Sequence, residues 1–148
     1  MKRKLRLSAL TLFFITTIVS CSKDDKTIAT GITAAQVNTL ITDGTWDISL
    51  YSEGNIDQTA DFSGYLLAFN ANGELVATGP EVKTGTWNST TDSGKVKISI
   101  AFETETKELF DSISDDWFVF TATDQKIELE HISDADGSVD QLTFEKTN

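Results

Sequence analysis

Lys95-Val96-Lys97-Ile98-Ser99-Ile100-Ala101-Phe102 is the stretch that decides the fold. Val96, Ile98, Ile100 and Phe102 face one way, and Lys95, Lys97 and Ser99 face the other. Alternation sustained over eight residues has the period of a strand with one buried face. Asp92-Ser93-Gly94 just before it has the composition of a tight turn, so Lys83 to Asn88 reads as its hairpin partner. Further upstream, Gly79-Pro80 breaks the chain after a strand from Glu74 to Thr78. Asn72-Gly73 suits a turn with positive φ and joins that strand to one from Tyr65 to Asn70. The first strand is Thr45 to Tyr51, where Trp46, Ile48 and Leu50 alternate with Asp47, Ser49 and Tyr51. Downstream, Glu105 to Ile113 reads as a helical turn. Asp116 to Ala122, Gln125 to His131 and Val139 to Lys146 follow as strands, with Thr123-Asp124 and Asp134-Ala135-Asp136-Gly137 turning between them.

One segment departs from this period. Thr33 to Ile41 spaces Val37, Leu40 and Ile41 at three and four, with Thr33 placed as an N-cap, and predicts a short helix. Eight short strands in sequence must bury one apolar face. An antiparallel up-and-down barrel does so and removes every exposed edge, with an interior either filled by side chains or holding one small ligand. The competing arrangement is a two-sheet sandwich, whose cross-sheet connections run longer than most of these. The expected class is therefore all-β, an eight-stranded barrel with a short N-terminal helix over residues 34–148.

The N-terminus has a different chemistry. Lys2, Arg3, Lys4 and Arg6 precede a weakly polar to apolar run from Leu7 to Val19. About a dozen residues fall short of the roughly 20 needed to cross a bilayer, so residues 1–20 read as a cleaved signal peptide. Ile18-Val19-Ser20-Cys21 resembles the lipobox of bacterial lipoproteins. That resemblance implies cleavage after Ser20, a diacylglycerol on the Cys21 sulfur and a further acyl group, such as palmitate, on the new amine. Several chains, at about 0.8 kcal/mol per buried methylene, give a firmer hold than a single one. Residues 21–33 then form an acidic linker. Ser22 after the cysteine resembles the signal that releases lipoproteins from the inner membrane. Lys23-Asp24-Asp25 resembles a surface-export signal of the Bacteroidota, and equally suits a solvated linker. The expected location is the outer membrane, lipid-anchored, on the cell surface.

Without residues 1–20 the chain carries eight lysines, no arginine and 23 acidic residues, a net charge of −15. Nucleic acid and anionic lipid headgroups both need basic patches, so neither is an expected partner. Cys21 is the sole cysteine, which removes disulfides and leaves stability to the core.

Beyond the strand pattern, Gly44-Thr45-Trp46 just after the short helix resembles the opening of lipocalins. In that family the tryptophan plugs the closed end of the barrel under a basic side chain from the last strand. The resemblance assigns those roles to Trp46 and Lys146, in cation-π contact. Phe62-Ser63-Gly64-Tyr65, Asn72-Gly73, Gly85-Thr86-Trp87, Ser114-Asp115-Asp116-Trp117 and Leu142 to Lys146 stand in the order found in small lipocalin-like lipoproteins of the Bacteroidota. The likeness spans nearly all of the domain and implies the barrel, without an activity.

Catalytic material is sparse. The one histidine, His131, follows Ile127 and Leu129 on their inward face and reads as a hydrogen-bonded core residue. There is no Gly-x-Ser-x-Gly elbow, and Asp115-Asp116 reads as the cap of a turn. Asp134, Asp136 and Asp140 fail the calcium-loop pattern, which has Ile132 and Thr143 where acidic ligands belong. The expectation is no enzyme, no metal and no cofactor. Leu67, Phe69, Ile98, Ile100 and Phe102 are the candidates for lining a cavity for a small apolar ligand. The alternative is that they pack against Trp46, Trp87 and Trp117, leaving a solid barrel that acts as an interaction module or scaffold of the envelope.

Overall fold

Period-two segments joined by short turns pair with their chain neighbours, and the computed structural model, which describes residues 31–103, 109–133 and 137–147, shows this arrangement. The strands are β1 (Trp46–Glu53), β2 (Ile56–Asp57), β3 (Leu66–Phe69), β4 (Glu74–Thr78), β5 (Val82–Asp92), β6 (Lys95–Phe102), β7 (Asp116–Ala122), β8 (Lys126–Ile132) and β9 (Val139–Lys146). Each of β3 to β8 pairs antiparallel with the next, and β1 pairs with both β3 and β9. The closing seam runs from Trp46↔Lys146 to Ser52↔Gln141. Eight strands thus close into a barrel, and β2 is a two-residue flap on the far end of β1. Nothing in the period announces β2, because two residues are too few to show one.

Two bulges alter the expected facing. The β1–β9 register shifts between Ile48 and Leu50. An extra residue reverses the parity of everything beyond it. Leu50, expected inside with Trp46 and Ile48, is therefore only half-buried, while Tyr51, expected outside, is buried. The second shift falls between Val119 and Thr121 in the β7–β8 pair and leaves Phe120 as the added residue.

The ends of the barrel are capped by local structure. At the Trp46 end lies α1 (Ala34–Ile41), begun by Thr33 in a capping box with Gln36. Its buried face is Val37 and Ile41, and Trp46 Nε1 donates to the Ile41 carbonyl at 2.8 Å. Ser89 Oγ on β5 donates to Ala34 O and Asn38 Oδ1, fixing α1 across the opening. At the Tyr51 end, two 3-10 turns (Thr59–Phe62 and Leu109–Ile113) deliver Phe62, Phe110 and Ile113 into the core. Tyr51 Oη donates to Ser112 O at 2.9 Å, and Trp117 Nε1 donates to Ile113 O at 3.0 Å, so the polar tips of the buried aromatics are satisfied. Among the described residues, no helix is long and apolar enough to cross a membrane.

Candidate functional site

The five proposed cavity-lining residues all lie inside the barrel, with Leu67, Phe69, Ile98, Ile100 and Phe102 each buried. Strand register sets three of them directly across from the tryptophans: Leu67 faces Trp46, Ile98 faces Trp117 and Ile100 faces Trp87. Directly opposed side chains on one face touch. Phe69 meets Trp87 and Phe144 edge-on at centroid distances of 5.5 and 5.3 Å, and Phe102 lies 4.5 Å from Phe110. The apolar surface of these side chains is spent on one another, and both ends are covered. The clefts of the surface, described below, are lined by none of the five.

Trp46 and Lys146 are register partners at the closing seam. The lysine is used differently from the expected cation-π contact. Its ammonium donates to Asp43 Oδ2 at 2.8 Å, and its stem crosses Gly44, where an added Cβ would stand 2.9 Å from Lys146 Cε. Gly44 also has φ +96°, so its lack of a side chain serves both the backbone turn and the passage of the lysine. The Asp43 carboxylate, rather than the indole face, takes the cation, and the ion pair ties β9 to the segment after α1.

At the opposite end, His131 does point toward the core, with its ring 6.0 Å from Trp117. Its Nδ1 is left without a hydrogen bond. Nδ1 is buried and lies 3.2 Å from Asp115 Oδ2, but the alignment fails to make a hydrogen bond. Through its other oxygen, Oδ1, Asp115 accepts from the Asp116 amide, the turn cap read from the sequence. Asp116 reaches sideways to β6, accepting from Lys97 Nζ at 2.8 Å and from Ser99 Oγ. Those two donors hold its carboxyl below the usual carboxylate range. Burial raises the Tyr51 phenol. Of the aspartate loop, 134–136 lie outside the described residues, and Asp140 accepts from the Gly54 amide at 2.7 Å, pinning the β1–β2 turn to β9.

The outer wall carries a feature that alternation missed. Phe120, displaced by the β7 bulge, is 66% exposed, and a cleft lies on each side of it. One, of about 290 Å³, involves Ile32, Val96 and Phe118; the other, of about 130 Å³, involves Leu50 and Thr143. Glu130 borders both. The signal was present in Trp117-Phe118-Val119-Phe120, four consecutive apolar residues in a strand that can bury only alternate ones. Cys21 and residues 1–20, read from the sequence as a signal peptide, lie outside the described residues.

No family model matches the chain, and no curated protein does. Among solved structures the chain is similar to a DUF4847 family protein from Bacteroides vulgatus, with a TM-score of 0.51 and 12% identity over 75% of this chain and 97% of that one. At that identity the likeness is one of fold, a barrel shared with a Bacteroides protein.

Proposed function

We propose that this chain is a lipid-anchored envelope protein whose solid barrel serves as a non-catalytic interaction module. The anchor rests on the Ile18-Val19-Ser20-Cys21 pattern behind a charged and apolar leader. The preference for an interaction module over a carrier of small apolar molecules rests on one observation: Leu67, Phe69, Ile98, Ile100 and Phe102, the side chains a ligand would have to touch, are packed on Trp46, Trp87, Trp117, Phe110 and Phe144. Interiors are close-packed, and a ligand would need several of these side chains to leave. Outer-membrane and cell-surface placement follow from Ser22 and Lys23-Asp24-Asp25 on the same reading.

Native mass spectrometry of the protein purified from its own host tests both halves. The expected mass is residues 21–148 plus acyl groups, all of them lost in a Cys21→Ser variant. A stoichiometric organic molecule that stays after the acyl mass is accounted for would overturn the solid-barrel reading. An unmodified thiol at Cys21 would overturn the anchor.

A further inference from the structure

A lone exposed phenylalanine is ordinary on a protein surface. Phe120 stands in a less ordinary setting. The shift from Val119↔Leu129 to Thr121↔Glu128 leaves it unpaired, and bulges of this kind re-aim a side chain. It forms a ridge with a cleft on either side. Pockets that enclose small ligands run to roughly 300–1,000 Å³. These clefts, at about 290 and 130 Å³, lie at and below the bottom of that range and are open on the outer wall. They suit single side chains of a chain lying across the ridge, with Phe120 as the central apolar anchor.

The charges around the ridge define what that chain carries. Lys126 pairs with Glu128 at 3.1 Å, and Lys95 sits over the Phe118 ring at 5.6 Å. Glu130 borders both clefts and, among the described residues, has no ion-pair partner. Lys95 also borders the larger cleft, and these two lysines and two glutamates balance. The bias toward a basic occupant comes from Glu130 reaching both clefts and from the net charge of −15 beyond residue 20. An occupant must therefore bring a cation to Glu130 and apolar surface to Phe120.

We infer that the wall around Phe120 docks an extended protein segment carrying a basic side chain next to an apolar one. This deepens the interaction-module reading and depends on it. The test is photocrosslinking in intact host cells. A photoreactive phenylalanine analogue replaces Phe120 or, as controls, the exposed Ile56 or Val82. The expected result is an adduct from position 120 that maps to a segment of another protein with Lys or Arg beside an apolar residue. Its yield should drop at least tenfold when Glu130→Gln is added, with an unchanged thermal midpoint showing that the outward-facing substitution leaves the fold intact. The site assignment is overturned if the adduct survives Glu130→Gln, maps to a segment without a basic residue, joins two copies of this chain, or links to residues 22–30 of the same chain. Adducts from positions 56 or 82 but not 120 overturn the site and leave the interaction module standing. No protein adduct from any of the three positions overturns both.

Discussion

The absence of a side chain at Gly85 does structural work that composition conceals. A Cβ there would stand 2.4 Å from the Ala101 carbonyl oxygen and 2.8 Å from Phe102 Cα. Both obstacles belong to the backbone of β6, which cannot rotate aside. Alanine would gain about 0.4–1 kcal/mol by restricting the unfolded chain, but overpacking a well-packed site costs about 1–3 kcal/mol. Gly85→Ala should therefore lower the urea midpoint; an unchanged or raised midpoint would contradict the close approach of β5 to β6. Asp116 makes a prediction of the opposite kind, small and dependent on pH. Its folded-state pKa lies below the ordinary 3.8 because Lys97 and Ser99 donate to the carboxylate. A depressed carboxyl pKa stabilises the fold at pH above the unfolded value and loses that contribution as pH falls through the folded one. The side chain is half exposed, so solvent screening limits the gain to roughly half a kcal/mol. Asp116→Asn should be slightly less stable than the parent at pH 7, with the gap closing below about pH 3.8. A gap that widened in acid would reverse the assignment. The Gly85-Thr86-Trp87 motif was readable in the sequence, whereas the reason for its glycine needed the neighbouring strand.

Among the elements, legibility did not follow length: β5, the longest strand, runs from Val82 to Asp92 against the expected Lys83 to Asn88. The ends of β4, β6, β7 and β9 fall where alternation and turn residues put them, and α1 begins at its capping threonine. The bulges at Ser49 and Phe120 were not legible, since a single inserted residue changes facing without changing composition. The 3-10 turn Thr59–Phe62 was missed because four residues carry too little period, although Phe62 was singled out in a motif. These short elements matter because they close the barrel. Phe110 in the second turn contacts Phe62, Tyr65 and Phe102 by ring packing at 5.7, 5.0 and 4.5 Å. Phe110→Ala removes the hub of that cluster and should cost about 3–5 kcal/mol. It should also leave a dry cavity that takes up a small aromatic probe, which the parent protein excludes. Calorimetric titration with benzene or an analogue separates the two; equal uptake by parent and variant would mean the barrel was never full. The other end should yield less. Thr33→Ala deletes a cap and should cost about 1 kcal/mol by chemical denaturation, because the apolar face of α1 remains seated. A loss as large as that of Phe110→Ala would show that α1 is held by its cap rather than by Val37 and Ile41.

At the scale of the whole molecule, barrel closure follows from the chain-order pairing of one-faced strands. Whether the barrel is full was not legible. Fill depends on how Trp46, Trp87 and Trp117 meet the aliphatic residues opposite them, and register rather than composition decides that. Charge bears on the chain beyond residue 20 in a simpler way. Eight lysines against 23 acidic residues leave −15 over a domain carrying no arginine. Such a surface is repelled by anionic headgroups, and repulsion weakens with salt without turning into attraction. On the proposed reading, acyl chains on Cys21 supply the whole of the membrane affinity, at about 0.8 kcal/mol per buried methylene. Protein beginning at Ser22 and lacking acyl groups should therefore fail to sediment with phosphatidylglycerol vesicles at either 10 or 150 mM salt. The lipidated protein should sediment at both. Sedimentation of the unlipidated form at low salt would mean that its lysines are clustered into a membrane-facing patch. Sedimentation of that form at both salts would point instead to an apolar contact with the bilayer, with the exposed Phe120 the first residue to replace.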